Sequence, residues 1–178
     1  MGDLTAHFDR REFRCKCGCG RDDISPDLVN KLEQIYAYFA RTPTGCGSII
    51  ITSGIRCPSY SVKVGGYAND AHTKSIAADI MVFKKDNKTP YAAENIAAVA
   101  EKCGFSGIGL MNNACHVDIR NKNNYVNAHW FGDERTGNNS ISSFLGYLPP
   151  LATNEPIQAS KHTLTVTLDG ETIIKKEF

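Results

Sequence analysis

Two short stretches of this chain carry side chains able to hold and use a metal ion. The segment from Asp70 to Ile80 supplies an imidazole, His72, and a carboxylate, Asp79; Cys115-His116-Val117-Asp118 supplies a second imidazole and a further carboxylate. Two imidazoles and one carboxylate are the ligand set of a catalytic zinc site that keeps a position open. On one helix His72 and Asp79 would lie about 10 Å apart, too far to share an ion, so a loop leading into a strand has to bring them together. Asp79 sits between Ala78 and Ile80 in an otherwise apolar run, where a carboxylate is costly unless it is paired or metal-bound. His116 and Asp118, two apart in a strand-like segment, share one face, and Val117 and Ile119 take the core face.

The elements that position these residues follow from local pattern. Residues 1–24 read as an irregular, polar leading segment. Ser25 as N-cap and Pro26 at the first position open a helix, whose Leu28, Leu32, Ile35, Tyr36 and Phe39 repeat at helical spacing; Thr42 to Gly45 end it. The β-branched run Ser48–Thr52 predicts a central strand, and the glycines and Pro58 between Ser53 and Asn69 predict a long loop. Ala77–Phe83 reads as a second strand. Thr89-Pro90 is expected to cap a second helix through Ala93, Ile96 and Ala100, with Gly104 past its end. Phe105–Leu110 and Cys115–Ile119 read as strands joined by a tight hairpin at 111–114. Residues 121–160 are polar and loop-like. Asp169-Gly170 between two alternating arms is a hairpin signal. Helices mixed with short hairpin strands predict an α+β fold, divided as a core over 1–135, a linker or loop over 136–160 and a β-hairpin appendage over 161–178.

At 178 residues with a hydrophobic fraction of 42%, the chain has length for one ordinary core. A net charge of +1 gives no field that favours nucleic acid. No apolar run approaches a membrane span, and the N-terminus lacks the apolar region of a signal peptide. Seven cysteines are many. Cys15, Cys17 and Cys19 are crowded as C-x-C-x-C, although a structural zinc usually uses C-x2-4-C pairs and no second pair exists. One reading links a cluster cysteine to Cys57 or Cys46 by a disulfide or a shared metal; the other packs the thiols as small hydrophobes.

The order Ser53-Gly54-x-Arg56, Val64-Gly65-Gly66, His72-x6-Asp79 and His116-x-Asp118 resembles the zinc D-Ala-D-Ala carboxypeptidase family, in particular its branch in phage endolysins and tail-associated lysins. Glu12-Phe13-x-Cys15-x-Cys17-Gly18 resembles the leading segment of that branch, and the likeness runs over roughly residues 8–132. It implies an α+β core shared with hedgehog domains and lysostaphin-type endopeptidases, a small antiparallel sheet with helices packed on it. It implies Zn2+ held by His72, Asp79 and His116, and Arg56 as a catalytic and substrate-binding residue facing a carboxylate or carbonyl. The implied reaction is zinc-dependent hydrolysis of a stem or cross-link peptide of peptidoglycan, by a D-Ala-D-Ala carboxypeptidase or endopeptidase. Asp118 is expected to take the water proton, and His129 and Trp130 to line the cleft.

The chain also departs from that family. Asp70 stands where Ser is usual, Ser75 where Gly is usual, and Ser61 where Asn is usual. Asn113 stands where several relatives place the acid that acts as base; Asp118, Asp133 and Glu134 are the acids left to replace it. Ser75 is harmless there only if its backbone is not left-handed. These departures sustain an alternative, a non-catalytic, metal-containing module of the same fold that binds cell wall or joins a particle. A third reading makes the cysteines primary, as a redox or structural-zinc protein. The resemblance implies action on the cell wall after lysis or from within a virion, with a phage particle protein as a further partner.

Overall fold

In the computed structural model, residues 2–121, 128–152, 163–168 and 171–177 are described. Their elements run α1 (Arg10–Phe13), α2 (Pro26–Ala40), β1 (Ser48–Ser53), α3 (Pro58–Lys63), β2 (Ala77–Phe83), α4 (Ala93–Lys102), β3 (Gly107–Leu110), β4 (Cys115–Asp118), β5 (Trp130–Asp133), a 3-10 turn at Leu145–Tyr147, β6 (Thr163–Leu168) and β7 (Glu171–Glu177). Five strands form one sheet in the order β1-β2-β4-β3-β5. All neighbours are antiparallel except β3 and β5, which are parallel. The fold is α+β, as expected.

Strand alternation divides the sheet into two faces. Ile49, Ile51, Ala78, Ile80, Val82, Ile108, Leu110, Cys115, Val117 and Phe131 are buried in one core. Helices α2 and α4 cover that core, with Leu28, Leu32, Ile35 and Phe39 from α2 and Ile96, Ala97 and Ala100 from α4 all fully buried. The opposite face carries Asp79, His116 and Asp118. Register sets them side by side: Ser53 pairs with Asp79, Asp79 with His116, His116 with Gly109, and Gly109 with Gly132. One row across five strands thus carries two of the three expected ligands.

Several local expectations need correction. β1 is an edge strand rather than a central one, and Ile50 on it is exposed; a β-branched run reports burial of one face, not position in the sheet. The loop after β1 holds α3, whose start at Pro58 is masked by the flanking glycines. Thr89-Pro90 does not cap α4: Ala92 is the N-cap, and Pro90 bridges to Phe83. The leading segment is not merely polar, because Phe8, Phe13 and Cys15 enter the core. Within 121–160, β5 adds a strand, and Phe144 is buried against Phe131 at 5.5 Å between ring centroids. β6 and β7 pair antiparallel as a separate two-stranded sheet; the Asp169-Gly170 turn lies outside the described residues.

Candidate metal centre

His72, Asp79 and His116 come together, all buried. His72 Nε2 lies 3.2 Å from Asp79 Oδ1 and 3.2 Å from His116 Nδ1; His116 Nδ1 lies 2.9 Å from Asp79 Oδ1. The remote side of each ring decides which nitrogen carries hydrogen. His72 Nδ1 is 2.7 Å from the Gly54 carbonyl oxygen, which can only accept, so Nδ1–H donates and Nε2 keeps its lone pair. His116 Nε2 is 3.0 Å from Asp118 Oδ2. Asp118 is held ionised: burial works against its charge, but hydrogen bonds from His116 and Arg120 keep its pKa well below the carboxylate range. In that state His116 Nε2–H donates and Nδ1 is bare.

Once His116 Nδ1 gives up its proton, three electron-pair donors face one another about 3 Å apart, an arrangement that a metal cation suits. The set of two nitrogens and one oxygen fits Zn2+, and the Gly54 carbonyl and Asp118 carboxylate are the outer partners that fix ligand rings. Asp79 stays a carboxylate: burial pushes its pKa up, yet contacts with His116 and His72 drive it far down. Burial alone would lower the pKa of His116, but Asp118 and Asp79 outweigh it and raise it to about 10. Without a metal, His116 holds a proton in that place, so metal binding displaces a proton.

The ligands stand in the wall of a cavity of about 610 Å³. Arg56 faces it and also grips Asp79, Nη2 donating to Oδ2 at 2.7 Å, while its Nε donates to Ser53 Oγ at 2.9 Å. Trp130 lines the cavity, its ring 6.1 Å from His116 and edge-on to it. The Arg120 guanidinium lies 5.2 Å from the indole centroid, a cation–π distance. Glycines make room for these groups. A Cβ at Gly132 would stand 2.6 Å from the indole, one at Gly109 2.8 Å from it, and one at Gly107 would collide with the Asp118 carboxylate.

Two expected site residues lie elsewhere. His129 is exposed, with its ring 4.0 Å from Phe131, and it is absent from the cavity wall. Asp118 is fully buried and also lies outside that wall. Its Oδ1 accepts from the Arg120 backbone N–H and Nε, both at 2.9 Å, and its Oδ2 from His116 and Arg120. Both of its oxygens are thus committed to His116 and Arg120. Asp133 is paired with Arg135 at 2.8 Å. Glu134 does line the cavity. Its Oε1 is 3.1 Å from where a Cβ of Gly109 would sit, and Gly109 pairs directly with His116.

The departures noted in the sequence have local explanations. Ser61 Oγ donates a hydrogen bond to Asp70 Oδ2. Ser75 is left-handed at φ 61°, contrary to the condition that would make it harmless. Its hydroxyl accepts from Arg21 Nη2 at 2.9 Å and donates to Asp23 Oδ2 at 3.0 Å. Arg21 also donates to the carbonyls of Arg56 and Thr73, both at 3.0 Å, tying the loop that carries Arg56 to the loop that carries His72. Sequence reasoning missed Arg21 and Tyr67, an exposed aromatic on the cavity rim, neither of which carried a signal; Arg120, two residues beyond Asp118, is the pairing partner that its position offers.

A family profile described as peptidase M15 matches residues 6–119. No curated protein and no solved structure matches the chain.

Proposed function

Because the chain belongs to the peptidase M15 family, we propose that it is a zinc-dependent hydrolase of peptide bonds in peptidoglycan stem or cross-link peptides. The observation that carries this reading is the convergence of His72 Nε2, Asp79 Oδ1 and His116 Nδ1 within 3.2 Å of one another on the wall of a large cavity. Bound there, zinc would lower the pKa of a water and polarise the scissile carbonyl.

The chain's own residues supply the rest. Glu134, on the cavity wall, takes the proton from the attacking water and returns it to the leaving amine. It replaces the acid absent at Asn113, which is exposed in the β3–β4 turn. Asp118 holds His116 in the tautomer that presents Nδ1. Arg56 fixes Asp79 through one edge and turns its remaining N–H groups toward a substrate carboxylate or carbonyl, a planar match. Trp130 and Tyr67 give the peptide apolar walls.

Release of muropeptides from purified cell wall, with and without a chelator, tests the proposal. Zinc-restored release supports it; none from zinc-loaded protein overturns it. Analysis of the products separates trimming of a terminal D-Ala from a cut within the peptide. Asn113 favours a second reading, a wall-binding or particle-assembly module that keeps the metal. That module would sediment with wall while releasing nothing. On either reading residues 1–135 form the working unit, with the C-terminal hairpin as an appendage, and the protein reaches the wall after lysis or as part of a virion.

A further inference from the structure

The sheet centre leaves a second group of metal-binding side chains unused. Cys15, Cys17 and Cys19 come from the segment after α1, and Cys57 from the turn before α3. Their four Sγ atoms lie within 4.8 Å of one another. Cys15 Sγ to Cys17 Sγ is 3.4 Å, and Cys17 Sγ to Cys57 Sγ is 3.5 Å. Four sulfurs around a tetrahedral zinc, with bonds of about 2.3 Å, stand about 3.8 Å apart; a disulfide needs about 2.05 Å. The observed spacing is close to the first and far from the second, and all four thiols are unbridged.

We propose that Cys15, Cys17, Cys19 and Cys57 form a second, structural zinc site, closed by four thiolates and separate from the His72–Asp79–His116 centre. The local backbone is built for it. Gly18 and Gly20 have φ of 84° and 83°, a left-handed conformation that only glycine adopts without strain. These two turns curl the C-x-C-x-C segment so that alternate residues converge, where a strand or helix would spread them. The Cys57 backbone N–H donates to Cys15 Sγ at 3.3 Å, a contact that favours a thiolate there. On binding, the thiol protons leave to solvent and the Zn2+ charge replaces them.

The position gives this site a purpose. Ile55 N–H donates to the Phe13 carbonyl at 2.8 Å, and Arg56 N–H to the His72 carbonyl at 3.2 Å. Gly54 accepts from His72 and Arg56 donates to Asp79. A zinc joining 15–19 to 57 staples the loop that orients two ligands of the sheet centre. It holds that loop without entering the cavity, whose wall contains none of the four cysteines.

Metal analysis and alkylation of the full-length protein test this. Wild type should carry two zinc ions per chain. His72→Ala/His116→Ala should keep one, and cobalt exchanged into it should show thiolate charge-transfer bands and the intense visible bands of a tetrahedral site. Cys17→Ser/Cys19→Ser should lose that ion and those bands. In wild type, zinc should protect Cys15, Cys17, Cys19 and Cys57 from alkylation as a group, and a chelator should expose all four together. This alkylation pattern does not require any variant to fold. Cobalt in His72→Ala/His116→Ala without thiolate bands, four cysteines labelling as fast with zinc as after a chelator, or a mass showing them joined as disulfides would overturn the proposal. None of these readouts depends on peptide hydrolysis.

Discussion

The sheet centre and the cysteine cluster solve the same problem with opposite materials. The first is held by strand register: Asp79 and His116 are cross-strand partners, and their outer contacts fix which atom is bare. The second is held by turns, through two left-handed glycines and a cysteine brought from 38 positions beyond Cys19. The sheet centre offers three donors beside a cavity, leaving a position for water and substrate. The cluster offers four sulfurs, leaving none. Rigid strands serve the site that must keep exact lone-pair directions with a coordination place open; loops suffice where four soft ligands close around an ion.

The two proposed zinc ions should be lost independently. His116→Ala should lower muropeptide release by about a thousandfold or more, the several kcal/mol withdrawn with the Lewis acid, while zinc at the cysteines stays. Glu134→Gln should cost about 10²–10⁴-fold in turnover with both zinc ions retained; full activity in that variant would return the base to another acid. Asp118→Asn should weaken zinc at the sheet centre by about 10–100-fold, measured by chelator competition, and saturating zinc should restore much of the turnover. Lost turnover at full zinc occupancy would make Asp118 the base after all.

Smaller effects probe the backbone around the sheet centre. Gly107→Ala pushes a methyl group into the Asp118 carboxylate, and should cost about 1–3 kcal/mol in denaturant unfolding. Ser75→Gly should change stability by less than about 1 kcal/mol: relief of a left-handed residue, about 1–2 kcal/mol, opposes loss of the hydrogen bonds to Arg21 and Asp23, about 1 kcal/mol each.

What could be read from the chain alone was whatever repeats over short range. The period-2 alternation put His116 and Asp118 on one face, the apolar run Ala77–Phe83 gave β2 with its observed bounds, and helical spacing gave the buried stripe of α2. Asp79 stood out because a carboxylate inside an apolar strand needs a partner, and the fold brings His72 and His116 to it. Non-local geometry was hidden. β5 is four residues with a glycine and an aspartate, and it becomes a strand only by pairing in parallel with β3. The spacing of Asp118 and Arg120 allows a pair, but only the fold decides that Arg120 fills both carboxylate oxygens. Glu134 enters the wall only because β5 does. Trp130 and His129 are neighbours in sequence, yet alternation turns one into the cavity and the other onto Phe131.

Anomalous diffraction at the zinc edge from crystals of the purified protein should show a peak enclosed by His72 Nε2, Asp79 Oδ1 and His116 Nδ1, with its remaining side open to the cavity. A map with no peak there, from protein that still releases muropeptides, would contradict a zinc centre at these three ligands.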